Sequence, residues 1–292
     1  MFMEYAIAYL IATSTGLFFG LHDFTIRIAS YGYQRSSNIV LLSLLAGFPV
    51  MLAFTLTVGF KIGGLNIMLL YALAGVVNFP LGRTSMYKSI SRVGAGLASL
   101  LLSTSIVYNM FIGVLMGENL GAFQIIGSLL ILASVAIAVS SNSGYNRLDP
   151  TGIIMGLIAG LLIALSIAIA RLANIMGGDP VSGAFIAYTS GLLVEALITI
   201  LRGNISYSLR ETHKRYLGSV FIAGVLAALG QIARYIALAT LGVSIVTPLQ
   251  NIRPIIASIV SGTFSKYTGE SLAIKLLISG ILAFTGGILI YL

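Results

Sequence analysis

Apolar residues run along this chain in blocks long enough to cross a bilayer, broken only by short polar stretches. A helix rising 1.5 Å per residue needs about 20 apolar residues to cross roughly 30 Å of hydrocarbon. Ten segments reach that length, near 5–29, 37–58, 66–88, 94–116, 120–140, 151–175, 182–201, 217–241, 243–264 and 271–291. The pattern predicts an all-α integral membrane protein, multi-pass, with no soluble domain. Its longest polar stretches, Ser140 to Arg147 and Arg202 to Arg215, are too short to fold alone. Met1-Phe2-Met3-Glu4-Tyr5 lacks the basic flank of a signal peptide and runs straight into apolar sequence, so the first block reads as a retained helix.

The blocks repeat. Gly16-Leu17-Phe18-Phe19-Gly20-Leu21, followed by Arg27-Ile28-Ala29, matches Gly160-Leu161-Leu162-Ile163-Ala164-Leu165, followed by Arg171-Leu172-Ala173, at a shift of 144 residues. Gly47 and Val50 fall on Gly191 and Val194 at the same shift; Gly82, Tyr87 and Gly94 fall on Gly230, Tyr235 and Gly242 at 148, and Glu118 falls on Glu270 at 152. A register that drifts only at loops is what duplication leaves behind. Residues 1–143 and 144–292 are therefore expected to be two five-helix repeats of one membrane domain. Five is odd, so the second copy enters the membrane from the opposite side. Inverted repeats around a central cavity are the architecture from which alternating access follows.

Composition narrows the function. The chain is 58% apolar and 8% charged, against about a quarter charged in soluble domains. Its 33 glycines lie within apolar runs, as close helix packing in lipid favours. Gly16-x-x-x-Gly20, Gly113-x-x-x-Gly117 and Gly156-x-x-x-Gly160 are read as packing faces, and Tyr5, Tyr31, Tyr71 and Tyr291 as interface anchors. The net charge of +8 is scattered over helix ends, which suits anionic headgroups and not nucleic acid. With no Cys, two His, no nucleophile elbow and no Walker lysine, the chain offers neither a metal site nor a catalytic constellation, and no cofactor is expected. An intramembrane enzyme would have only Asp23 with His22 as its acid and base.

Three further motifs carry a resemblance: the Gly-rich first helix ending in Arg27, the run Thr247-Pro248-Leu249-Gln250-Asn251-Ile252-Arg253-Pro254 opening the ninth segment, and the pairs Gly117-Glu118 and Gly269-Glu270 before each half's last helix. With these, the chain resembles the drug/metabolite transporter superfamily, in its ten-helix, two-repeat branch of EamA type. The resemblance implies a basket of ten helices around a cavity, with the fifth and tenth peripheral.

An ionisable or strongly polar residue at membrane depth marks a cavity or a partner. His22 and Asp23, Asn78 and Arg83, Glu195, Arg234 and Arg253 stand at that depth. Arg253 lies near the middle of its segment and heads a stripe of Thr247, Asn251, Ser258 and Gln250, with Ser244 and Ser261 beyond; Pro254 denies the Gln250 carbonyl its usual donor. Ser99 and Ser103 mark the matching face of the fourth segment. These two faces are expected to be cavity walls; alternatively their small residues only let the two helices approach. Arg83, Arg234 and Arg253 together would favour an anionic or zwitterionic solute, unless they pair internally with Asp23 and Glu195. Asp23 could instead pair with Arg27 one turn on. His22 and Asp23 point about 100° apart around the helix. They and Glu195 are the candidates to carry a proton.

The expected function is a secondary carrier of a small organic solute, an amino acid or related metabolite, coupled to protons or to exchange. A phosphorylated-sugar or nucleotide-sugar exchanger and a non-transporting membrane enzyme or scaffold are the alternatives. Eleven basic residues at one set of helix ends, against Lys61 and Arg171 at the other, place the N-terminus outside, whereas the resemblance implies both termini in the cytoplasm.

Overall fold

The computed structural model describes residues 2–32, 36–61, 63–115, 121–140, 149–202, 214–240, 246 and 249–290. Features expected at Arg35, Gly117, Glu118, Arg147, Arg210, Gly242, Ser244, Thr247, Pro248 and Tyr291 lie outside these residues, as do the side chains of Tyr5 and Tyr235. Every regular element within them is a helix. The chain folds into α1 (Phe2–Ala29), α2 (Ser36–Val58), α3 (Leu65–Val76), a π-helical stretch (Val77–Arg83), α4 (Thr84–Val93), α5 (Ala95–Leu102) and α6 (Thr104–Leu115). It continues through α7 (Ala122–Ser140), α8 (Pro150–Ile175), α9 (Pro180–Leu201), α10 (Lys214–Thr240), α11 (Arg253–Thr263), α12 (Ser265–Thr268) and α13 (Ile274–Ile290).

Among the described residues, seven helices or joined helices are long and apolar enough to cross a bilayer. Leu10, Leu56, Leu69, Leu129, Leu197 and Ile278 stand exposed on the outside of the bundle, where water would penalise them and lipid would not. Asp149-Pro150 and Asp179-Pro180 start α8 and α9 by the same chemistry. Each Asp accepts from first-turn N–H groups, Asp149 from Thr151 at 2.8 Å and Asp179 from Ser182 at 2.9 Å, and each Pro supplies a preset φ where no donor is needed.

These caps also tie the helix ends together. Arg92 donates to Asp149 at 2.6 Å, and Lys61 lies 3.5 Å from Asp179 at the other end of the bundle. The Arg92 hydrogen bond and the first-turn N–H groups hold the Asp149 carboxyl below its ordinary value. A depressed carboxyl stabilises the fold above the unfolded value near 3.8, and that contribution fades as pH falls through the lower folded value. Asp149→Ala is therefore expected to lower the melting temperature at pH 7 by a few degrees, by an amount that shrinks as the pH is taken below 3.8. Equal deficits above and below that pH would refute it.

Helix α1 packs against α10 and α11, while α8 packs against α3, the π-helical stretch, α4, α5 and α6. Between them, α2 meets α9 and α10, α3 meets α9, and α5 meets α11; α7 and α13 pair at the periphery. Three segments expected to be regular are interrupted. The third runs to Val93, beyond the expected end at 88, and its middle is the π-helical stretch around Pro80, whose missing N–H loosens the ladder there. The ninth turns at Asn251 and Ile252 before α11 begins at Arg253 with Pro254 next to it. The fourth has a matching one-residue break at Ser103.

Candidate functional site

A cavity of about 150 Å³ lies among α1, the π-helical stretch, α5, α6, α8, α10 and residues 249–253. Asn78, Ser99, Ser103, Gln231, Gln250 and Asn251 give it a polar lining, with Arg234 and Arg253 beside Phe19. Close approach of α1 makes this wall possible. A Cβ on Gly16 would lie 2.8 Å from the Gln250 carbonyl oxygen, and one on Gly20 would lie 2.6 Å from Ile256 Cβ. Gly16 therefore packs on the very carbonyl that Pro254 leaves unpaired.

At its closed end the cavity meets a buried ion pair. Arg253 forks onto Asp23, with Nε donating to Oδ2 and the terminal nitrogen to Oδ1, both at 2.6 Å. Ser99 donates to the same carboxylate, and His22 Nδ1 lies 2.9 Å from Oδ1. Four donors around one carboxylate match an anion. A carboxylate on Nδ1 keeps the ring proton there, so Nε2 accepts from the Tyr87 hydroxyl at 2.9 Å. Tyr87 in turn meets Ser43 at 3.3 Å. The guanidiniums of Arg234 and Arg253 lie 5.0 and 5.1 Å from the Phe19 ring centre, so one aromatic ring serves two cations. Arg234 also donates to Gln250 at 2.9 Å.

Ser103 and Asn251, at the two helix breaks, hydrogen-bond to each other at 2.6 Å, and Asn251 donates to the Ala283 carbonyl at 2.8 Å. Across the cavity Asn78 donates to Ser166 at 3.2 Å. The lining reaches Arg171, exposed near the end of α8.

Toward the other end the bundle is sealed. Arg27, buried, donates to the carbonyls of Ser91 at 2.7 Å, Thr268 at 3.1 Å and Ile90 at 3.2 Å, and lies 3.3 Å from Glu270. Glu270 accepts from the Ala95 N–H at 2.8 Å, at the start of α5. Gly94 permits this: its φ is +87°, and a Cβ there would lie 2.8 Å from Glu270 Cδ.

Seven of the expected solute-binding residues, Asn78, Ser99, Ser103, Arg234, Gln250, Asn251 and Arg253, thus line one cavity. Three do not join them. Thr247 lies outside the described residues. Ser258 is buried against Gly96, whose Cβ would lie 2.5 Å from its Oγ, so this part of the stripe serves helix approach. Arg83 lies off the cavity, 4.6 Å from the Phe79 ring centre. The π-helical stretch explains this: one residue inserted into a helix rotates every later side chain by about 100°. Gln231, 148 residues further on in regular α10, does line the cavity.

The pairing follows the internal alternative at Asp23 and departs from the i, i+4 reading. Asp23 binds Arg253 and Arg27 binds Glu270, replacing the Asp23 to Arg27 pair. The lining is accordingly less positive than three free arginines would make it. His22 and Asp23, despite their angular separation, touch side by side. Glu195 lies in α9 away from the cavity, buried, and its Oε1 has no hydrogen-bond partner among the described residues. Tyr71 is buried and bonds Asn174, so it is no interface anchor, while Tyr31 stands half exposed. Phe19, Tyr87 and Gln231 were not foreseen; only the closeness of Phe19 to Gly16 and Gly20 hinted at the first.

A helical bundle with an apolar exterior around a cavity that carries several polar side chains defines a multi-pass integral membrane protein. The chain belongs to the EamA-like transporter family, whose pattern matches residues 6–140 and again 150–292. That is a family of membrane transporters of small solutes and not of enzymes. No curated protein matches the chain. A solved crystal structure, 16% identical over 95% of each chain, superposes with a TM-score of 0.57 and shares the fold.

Proposed function

We propose that this protein is a secondary active carrier of a small anionic or zwitterionic organic solute, an amino acid or related metabolite, working by alternating access coupled to protons or to exchange. The observation that carries the reading is the Asp23 to Arg253 pair at the closed end of the cavity. An incoming carboxylate competes with Asp23 for the guanidinium, so occupancy and the ionic state of Asp23 are linked. His22, hydrogen-bonded to that carboxylate, and Glu195 are the other candidate proton carriers.

The proposed architecture is ten spans in two inverted five-helix repeats, 1–143 and 144–292. Paired contacts support it. Gly82 packs on Ile163 and Gly230 on Phe19, each at 3.2 Å from a would-be Cβ, and these four residues exchange under the shifts of 144 and 148. Gly16 on Ile252 and Gly160 on Thr104 exchange in the same way. A phosphate site built from Arg83, Arg234 and Arg253 together has less support, because Arg83 lies off the cavity.

Reconstitution in liposomes preloaded with single solutes tests the function through counterflow. Arg234→Ala, which removes one of the two cations at the Phe19 ring, is expected to raise KM for an anionic solute about tenfold or more, the effect of losing one charge-assisted hydrogen bond of ~1.5–3 kcal/mol. If no amino acid or related acid supports counterflow in wild-type vesicles, the proposed solute class is wrong.

A further inference from the structure

A second, larger space lies on the flank of the bundle, away from the central cavity. It is a groove of about 690 Å³ between the end of α1, the start of α10 and the junction of α11 with α12. Phe24, Ile28 and the half-exposed Phe264 form its apolar part, with the two phenylalanine rings 5.7 Å apart. Tyr31, Tyr216, Tyr267 and Lys266 form its outer part, where α1 and α11 end. Gly32 lets the wall close in, since a Cβ there would lie 2.8 Å from Tyr216 Cβ.

The groove therefore joins two chemistries: hydrocarbon of Phe24 and Ile28 within α1, and phenols with an ammonium past the helix ends, where tyrosines meet headgroups. We infer that it binds an anionic phospholipid, its acyl chain along Phe24, Ile28 and Phe264 and its headgroup phosphate at Lys266. Charge complementarity selects this occupant. The groove opens at the bundle end where the exposed Lys88 and Lys266 stand, and each basic residue near a membrane surface attracts anionic lipid by a factor of about five. A soluble phosphate would have no use for the phenylalanine floor, and a purely apolar partner none for the lysine.

The lipid would also steady the seal. Tyr31 donates to the Thr268 carbonyl at 2.5 Å and accepts from Arg27 at 2.9 Å, so the groove wall and the closed end of the bundle share a side chain.

The test uses the detergent-purified protein and its melting temperature during titration with phosphatidylglycerol, with phosphatidylcholine of the same acyl chains, or with sodium phosphate. Phosphatidylglycerol is expected to stabilise at a concentration several-fold lower than phosphatidylcholine, and phosphate alone to do nothing. Lys266→Ala, at an exposed position, is expected to raise the midpoint for phosphatidylglycerol about five-fold. Ser219→Trp, which fills the groove without changing charge, should abolish the response to both lipids. Equal midpoints for the two lipids, the same shift from phosphate alone, or a wild-type preference surviving in Lys266→Ala would each overturn the assignment.

Discussion

Arg253→Ala is expected to cost about 3–5 kcal/mol of stability and to abolish counterflow, because it leaves the Asp23 carboxylate buried with no cation. The Asp23 side chain has no exposed surface, whereas Arg253 keeps 14% of its own beside the cavity. Asp23→Ala should therefore cost less, since the freed guanidinium can turn toward cavity water. Removing both should recover much of the loss, because no uncompensated charge remains, yet should not restore transport. Denaturant unfolding of the four proteins gives the coupling energy, and the same samples in liposomes give transport. Near-additive losses would mean that the pair does not act as a unit.

The second large effect concerns the sealed end. Arg27 links α1 to the end of α4, to Thr268 and to Glu270, so Arg27→Ala should remove about 3–5 kcal/mol by leaving the Glu270 carboxylate without its cation beside three carbonyls that lose a donor. Arg27→Lys keeps the charge but not the fork and should fall between. The chain contains no Cys, so Ser99→Cys provides a unique thiol at the cavity wall. That thiol should react with a membrane-impermeant reagent added at the Arg27 end only when Arg27 is replaced. Unchanged reactivity in the Arg27→Ala background would show that the seal lies elsewhere.

Much of this architecture is legible in the chain alone. Span length and apolar content required helices in lipid, and evenly shifted Gly, Arg and Glu positions pointed to a duplicated unit. The polar stripe of the ninth segment led to Asn251 and Arg253, both of which line the cavity. Its continuation to Ser258 misled, because a serine facing a glycine and a serine facing a cavity have the same period. Arg83 misled for another reason. A periodicity argument assumes an unbroken helix, and Pro80 gave no indication that one extra residue would be absorbed in the turn it disturbs. Pairing of a deep arginine with Asp23 was one of the two open readings, but which arginine it would be, and that Arg27 would meet Glu270, depends on packing between residues separated by most of the chain.

The bond between Ser103 and Asn251 joins two residues 148 apart, the same shift that relates their segments. In the inverted repeat we propose, each is thus the counterpart of the other, and their bond lies on the axis that exchanges the halves. A rearrangement that swaps the conformations of the halves carries this contact onto itself. Bonds off the axis, such as those of Arg27, must break on one side as others form; this one can persist throughout, like the pin of a pair of scissors.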